Sequence, residues 1–193
     1  MGQFSISANS FGHLICVRLA DGLAAIEPED AITAISLCGM GGERIRDILD
    51  SGKARLSGHE RLILQPNGGE RPLRLWLMDN GYRIVCEEVL RENRFAYEII
   101  VAERSGPVIY SAEELYFGPI QLQQRSPAFI AKWQRLLRLK QQSLGSLARA
   151  QQALPEQRVQ ALELQIRWIE TLLVVKQPEK GSCHGCKALH RHR

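Results

Sequence analysis

The chain has 193 residues, 45% hydrophobic and 24% charged, with 16 glycines, 8 prolines and 5 cysteines. That balance supports a buried core and one domain plus an appendage, and it excludes collagen-like, disulfide-knotted and wholly disordered chains. The net charge of +4 conceals an asymmetry: residues 1–118 carry 12 Lys/Arg against 17 Asp/Glu, residues 119–176 carry 9 against 3, and residues 177–193 carry 4 against 1.

LICVRL (residues 14–19) reads as a strand followed by an ADGL turn. AITAISLC is a near-continuous apolar run ending in Gly39-Met40-Gly41-Gly42, and ERIRDILDSG then places Ile45, Ile48 and Leu49 on one helical face. RLILQPN is a further strand-to-loop, and ERPLRLWLMDNG puts Leu73, Trp76 and Leu77 on one face before stopping at Asn80-Gly81. YRIVCEEVL and FAYEIIVAE, separated by RENR, read as a hairpin. Strand–helix alternation closed by a hairpin predicts an α/β domain over residues 1–110, its sheet mostly parallel with an antiparallel hairpin at the edge. Cys16, Cys38 and Cys86 lie in apolar runs and read as buried free thiols in strands.

From residue 111 the pattern is helical. Ile130, Trp133, Leu137, Lys140, Leu144 and Leu147 recur at steps of three and four, as do Val159, Leu162, Ile166, Ile169 and Leu173 after the break at Leu154-Pro155. Two such helices joined by a tight turn predict an antiparallel coiled-coil hairpin over residues 111–176. On that register Lys132, Arg135, Arg138 and Arg149 point away from the seam, as a phosphate-binding surface or as an ordinary solvated face. Residues 177–193 read as a disordered tail, in which Cys183 and Cys186 with His184, His190 and His192 have the residue types of a zinc site. A lone CxxC in a short polar tail reads as adventitious, and no metal site is predicted. No apolar run approaches the roughly 18 residues of a membrane span, and neither a secretory leader nor a myristoylation pattern opens the chain. A cytoplasmic chain with no membrane partner and no obligate protein partner is expected.

In an open parallel sheet, ligands bind beyond the carboxyl ends of the strands. Three segments belong there: Asp21-Gly22-Leu23, Gly39 to Gly42, and Gln65-Pro66-Asn67 with Gly68-Gly69. The glycines serve either a close backbone approach to a ligand or a tight strand-to-helix turn. Glu43, directly after them, speaks against a nucleoside triphosphate. Gln65 and Asn67 each offer a donor and an acceptor, which suits an adenine edge; Asn67 as a helix cap is the alternative.

The string ISLCGMGGERIRDILDSGKARLSGHERLILQPN, followed by LRLWLMDNGYRIVCEEVLRENRFAYEIIVAE, resembles the bacterial tRNA (adenine(22)-N(1))-methyltransferases, as do YFGPIQLQQRSPAF and the helical hairpin, over roughly residues 15–175. The resemblance implies a partial Rossmann-like, class I methyltransferase sheet, S-adenosyl-L-methionine as cofactor, tRNA as partner and a helical hairpin that binds it. It implies that Asp21, Gly22 and Leu23 lie by the cofactor adenine, that Gly39, Met40, Gly41 and Gly42 line the methyl-transfer cleft, and that Gln65, Pro66 and Asn67 hold the target base. Tyr97 is a stacking candidate, although a core tyrosine is the simpler reading, and Asp47 and Glu98 are read as structural. The resemblance also implies a preceding stretch with the first two strands, the loop for the methionine end of the cofactor and a ribose-binding acid; these are not recognised here, so weak cofactor binding by residues 1–193 is expected. Two functions follow: tRNA adenine-N(1) methylation, or a non-catalytic RNA-binding or coiled-coil remnant.

Overall fold

The computed structural model of the protein describes residues 14–93, 95–149 and 156–174. Along the chain run β1 (Ala34–Met40), α1 (Gly42–Ser51), β2 (Arg61–Pro66), α2 (Glu70–Asp79), β3 (Tyr82–Glu92), β4 (Phe95–Arg104), the short helices α3 (Ala112–Phe117) and α4 (Pro119–Gln124), and the long helices α5 (Pro127–Arg149) and α6 (Glu156–Val174). The strands form one sheet in the order β1-β2-β4-β3.

β1 and β2 are parallel, while β4 runs antiparallel to both β2 and β3. The sheet is therefore mixed, not mostly parallel as the strand–helix alternation suggested. Leu62 lies opposite Ala102 and Leu64 opposite Ile100, so placing the second hairpin strand beside β2 continues the apolar face across the sheet.

LICVRL does not form a strand. Residues 15–20 have no regular secondary structure, and Leu14, Ile15, Val17 and Leu19 are exposed. Alternating side chains make a strand only when a neighbour takes up the backbone groups. Here Arg18 instead ties the segment to the Ala25 carbonyl (2.8 Å) and to Asp30 (2.7 Å). The expectation of buried thiols fails with it: Cys16 and Cys38 are exposed and Cys86 is half-buried. Cys16 lies in this loop, and Cys38 points to the face of β1 opposite Ile35.

Helices α1 and α2 cover one face of the sheet. Ile45 and Leu49 of α1 and Leu73, Trp76 and Leu77 of α2 pack with Ile35, Leu62, Leu64, Ile84 and Ile100, and these are the helix faces their spacing predicts. Asn80 caps the carboxyl end of α2 and Gly81 follows at φ 72°. A second apolar cluster joins Val89 of β3 to Phe117, Phe129, Trp133, Ile169 and Leu172. Within the long helices Trp133, Ile166 and Ile169 are buried, and the other expected seam positions are partly buried. Phe129 clusters with Leu172, and Lys140 Nζ donates to Gln165 Oε1 (2.6 Å), so α5 and α6 run antiparallel. Pro155, the 150–155 link and the tail with its cysteines and histidines lie outside the described residues. No helix among the described residues is long and apolar enough to cross a membrane.

A buried ionic cluster fastens α5 to the sheet. Fully buried Arg74 donates from Nε to Glu87 Oε1 (2.8 Å) and from Nη2 to Glu98 Oε2 (2.7 Å). The other Glu98 oxygen accepts from Lys132 Nζ, which also donates to Glu70 Oε1 (3.0 Å). Glu87 Oε2 accepts from the Ile120 amide (2.9 Å). Pairing of this kind is what buried charges require. Gly118 (φ 97°) closes over the cluster: a Cβ there would lie 2.6 Å from Glu87 Oε2 and 2.8 Å from Arg74 Nη2.

Candidate active site

Parallel pairing of β1 and β2 brings their carboxyl ends, and so their loops, to one place. The two loops are stitched by backbone groups. Asn67 N donates to the Met40 carbonyl (2.8 Å), and Gly42 N donates to the Gly68 carbonyl (2.7 Å). A Cβ on Gly42 would stand 2.1 Å from the Gly69 carbonyl oxygen, so the start of α1 meets the second loop at a distance only glycine allows. Gly39 (φ 79°) and Gly41 differ: an added Cβ at either meets nothing within 4 Å. This backbone is open to a ligand, and Met40 packs half-buried against the core.

The third loop lies against α1. Asp21 precedes a short turn over Gly22–Ala25, and a Cβ on Gly22 would reach Ile48 Cγ2 of α1 at 3.1 Å. The Asp21 carboxylate is 95% exposed, with Arg44 Nη2 of α1 at 3.9 Å. Leu23 is only 4% exposed and packs where α1 ends at Gly52. The structure thus sets Asp21 near Arg44 in the first turn of α1 and gives the Leu23 side chain to the core.

Gln65 and Asn67 form one unit. Gln65 Oε1 accepts from Gly39 N (2.9 Å), while Nε2 donates to Asn67 Oδ1 (2.9 Å) and to the Pro66 carbonyl (3.2 Å). Pro66 is buried and Asn67 exposed. The cap of α2 is Gly69 at φ 75°, with no side-chain hydrogen bond, so Asn67 does not cap the helix. The Gln65 amide is spent on the fold and aims Asn67, whose Nδ2 hydrogen-bonds nothing among the described residues.

The basic face is smaller than the sequence suggested. Arg135 and Arg138 are exposed on α5, but the Lys132 ammonium is turned in between Glu98 and Glu70. The side chain of Arg149 lies outside what is described. Burial opposes both charges of the Lys132–Glu98 pair. The carboxylates nonetheless hold the lysine above its ordinary value, and Arg74 and Lys132 hold Glu98 below its own. Burial raises Glu87 in spite of Arg74 and pushes Tyr116 up to about 12. Sequence reasoning missed Glu70, Arg74 and Glu87: charges inside helical and strand patterns look solvated until the packing is known. It also passed over Arg91 and Phe95 at the hairpin tip, where Phe95 lies 6.3 Å from half-buried Tyr97, ring centroid to ring centroid. No group of acidic, histidine and cysteine side chains among the described residues could hold a metal ion.

Comparison with known proteins relates the chain to one family and its fold. The model of the family described as tRNA (adenine(22)-N(1))-methyltransferase, TrmK, matches residues 1–171. The tRNA (adenine(22)-N(1))-methyltransferase of Bacillus subtilis (strain 168) is 36% identical over 141 residues, 70% of this chain. The chain spans 59% of the length of that relative. Among solved structures, Streptococcus pneumoniae Sp1610 in complex with S-adenosyl-L-methionine superposes with a TM-score of 0.78 at 38% identity, covering 89% of this chain and 74% of that one. The B. subtilis M1A22 tRNA methyltransferase TrmK superposes with a TM-score of 0.79 at 30% identity, covering 89% and 75%.

Proposed function

The chain belongs to the tRNA (adenine(22)-N(1))-methyltransferase family, and we propose that its described part holds the target adenine and docks the tRNA for methylation at N(1). The observation that carries this reading is the Gln65–Asn67 bracket at the shared end of β1 and β2.

Adenine N(1) has its own lone pair, so the reaction needs no strong base; it needs a fixed base, a fixed approach and little water. An asparagine amide pairs with the adenine N6 amino group and N7, which leaves N(1) uncovered on the opposite ring edge. In this reading Asn67 Oδ1, which already accepts from Gln65 Nε2, takes the amino proton on its second lone pair, and Nδ2 donates to N7. Gln65 is then a positioning residue and Pro66 a buried spacer.

S-adenosyl-L-methionine, when bound, supplies an electrophilic sulfonium methyl. The open backbone at Gly39 and Gly41 and the exposed Asp21 carboxylate fit that cofactor. Asp21 would accept from an adenine amino group, and the glycine loop would let the donor approach the target base. On the RNA side, Arg135 and Arg138, with Arg149 further along α5, meet the phosphate backbone, and the α5–α6 seam forms a coiled-coil hairpin in the cytoplasm. The test is methyl transfer from labelled cofactor to unmodified tRNA by the chain joined to the preceding stretch that the resemblance implies, with the product base identified after nuclease digestion. 1-Methyladenosine that is lost in Asn67→Ala supports the reading; a different methylated base, or full activity in Asn67→Ala, overturns it.

A further inference from the structure

Between the tip of the β3–β4 hairpin and α5 lies a groove of about 260 Å³, distinct from the cleft at the strand ends. Arg91, Arg135, Arg138, Phe95, Ala96 and Ala128 are among its lining residues. Every charged residue along it is cationic, and the lysine among them, Lys132, is already neutralised by Glu98 and Glu70. The three arginines come from two separate elements, β3 and α5, so the fold and not one helix repeat gathers them. Phe95 keeps 49% of its surface exposed at the first position of β4. A large apolar ring held half in water beside arginines is the arrangement single-stranded nucleic acid uses, with guanidinium groups on the phosphates and an aromatic face for the base. Only an unpaired base offers an open ring face; in a duplex both faces are covered by stacked neighbours.

We infer that this groove takes one unpaired nucleotide of the RNA, its base stacked on Phe95 and its phosphates held by Arg91, Arg135 and Arg138. The site rests on the reading of the protein as RNA-binding and adds to it a contact outside the methyl-transfer cleft. It gives the enzyme a check on RNA structure: a fully paired stem can satisfy the arginines but not Phe95.

The test compares two RNAs bound to the full chain: a hairpin with 2-aminopurine at unpaired loop positions, and a blunt duplex of equal length. Wild type should quench the 2-aminopurine on binding. Phe95→Ala should lose the quenching and bind the hairpin roughly fivefold or more weakly, with duplex affinity unchanged, while Phe95→Trp should retain both signals. Arg138→Gln should weaken both RNAs and lower the salt dependence of binding. If Phe95→Ala matches wild type on both RNAs, the nucleotide site is wrong although the RNA-binding reading stands. If wild type binds neither RNA, both fall. If an acidic peptide displaces the hairpin while the quenching never appears, the groove is a peptide site and the inference is overturned. Half-exposed Phe95 is a poor candidate for folding defects, and unchanged duplex binding by the alanine variant controls for them.

Discussion

At Asn67 one side-chain amide decides between chemistry and architecture. With Gly69 as the cap of α2, Asn67→Ala should leave stability nearly unchanged and, in the protein extended by the preceding stretch that the resemblance implies, still reduce methyl transfer. A paired amide–adenine contact is worth about 1–3 kcal/mol, so the expected loss is roughly fivefold to a hundredfold in kcat/KM. Asn67→Asp keeps the acceptor for Gln65 and loses the donor, and it should fall between the two; an Asp variant as active as wild type would remove Asn67 from the substrate site. Gly42 gives the complementary case. With the Gly69 carbonyl 2.1 Å from its missing Cβ, Gly42→Ala must push the two loops apart at a cost of about 1–3 kcal/mol. Its urea midpoint should drop, whereas Gly41→Ala, whose added carbon meets nothing, should unfold like wild type. The positions of Asn67 and Gly42 were legible in the sequence because strand-end loops in α/β sheets hold ligands. Their partners were not, since the Gly39–Gln65 and Gly42–Gly68 bonds link residues 26 apart through a register that no local pattern contains.

Among the elements, α1, α2 and both long helices matched their apolar periodicity, because each has one face against a large neighbour. The strands were less legible. LICVRL has the alternation of a strand without a partner, and the place of β4 inside the sheet depends on how Leu62 and Leu64 meet Ala102 and Ile100. The α5 cations divide for a similar reason: helical spacing shows which side a residue leaves from, not which carboxylate waits there. Lys132→Gln should therefore lower stability by about 3–5 kcal/mol, since it strands buried Glu98 against Arg74 alone, yet leave the salt dependence of RNA binding as it was. Arg138→Gln should do the reverse. Equilibrium unfolding in urea and titrations at several salt concentrations would show whether the two effects separate.

For the whole molecule, the ionic cluster and the Val89 cluster make the sheet and the long helices one mechanical body across the expected 110/111 division. Glu98 is held below its ordinary value of 4.5, so the stability it contributes is present above that pH and is lost as pH falls through the folded value. Glu87, raised by burial, changes in the opposite sense and offsets part of the loss. Urea midpoints measured from about pH 7 to about pH 3 should fall in acid, and Glu98→Gln should flatten that fall while starting from a less stable protein at neutral pH. A midpoint that falls equally in both proteins would place the acid sensitivity elsewhere. The clamp at Lys132 also has a geometric result. A helix advances about 1.5 Å per residue, so roughly 25 Å of α5 extends beyond that lysine toward Arg149. Because its base is anchored to Glu70, three residues after Asn67, the span from the far end to the Asn67 amide is set by a rigid arm. On the roles proposed for Asn67 and the α5 arginines, the protein is then a calliper: an RNA whose handhold and adenine match that opening touches both jaws, and one of any other spacing touches only one.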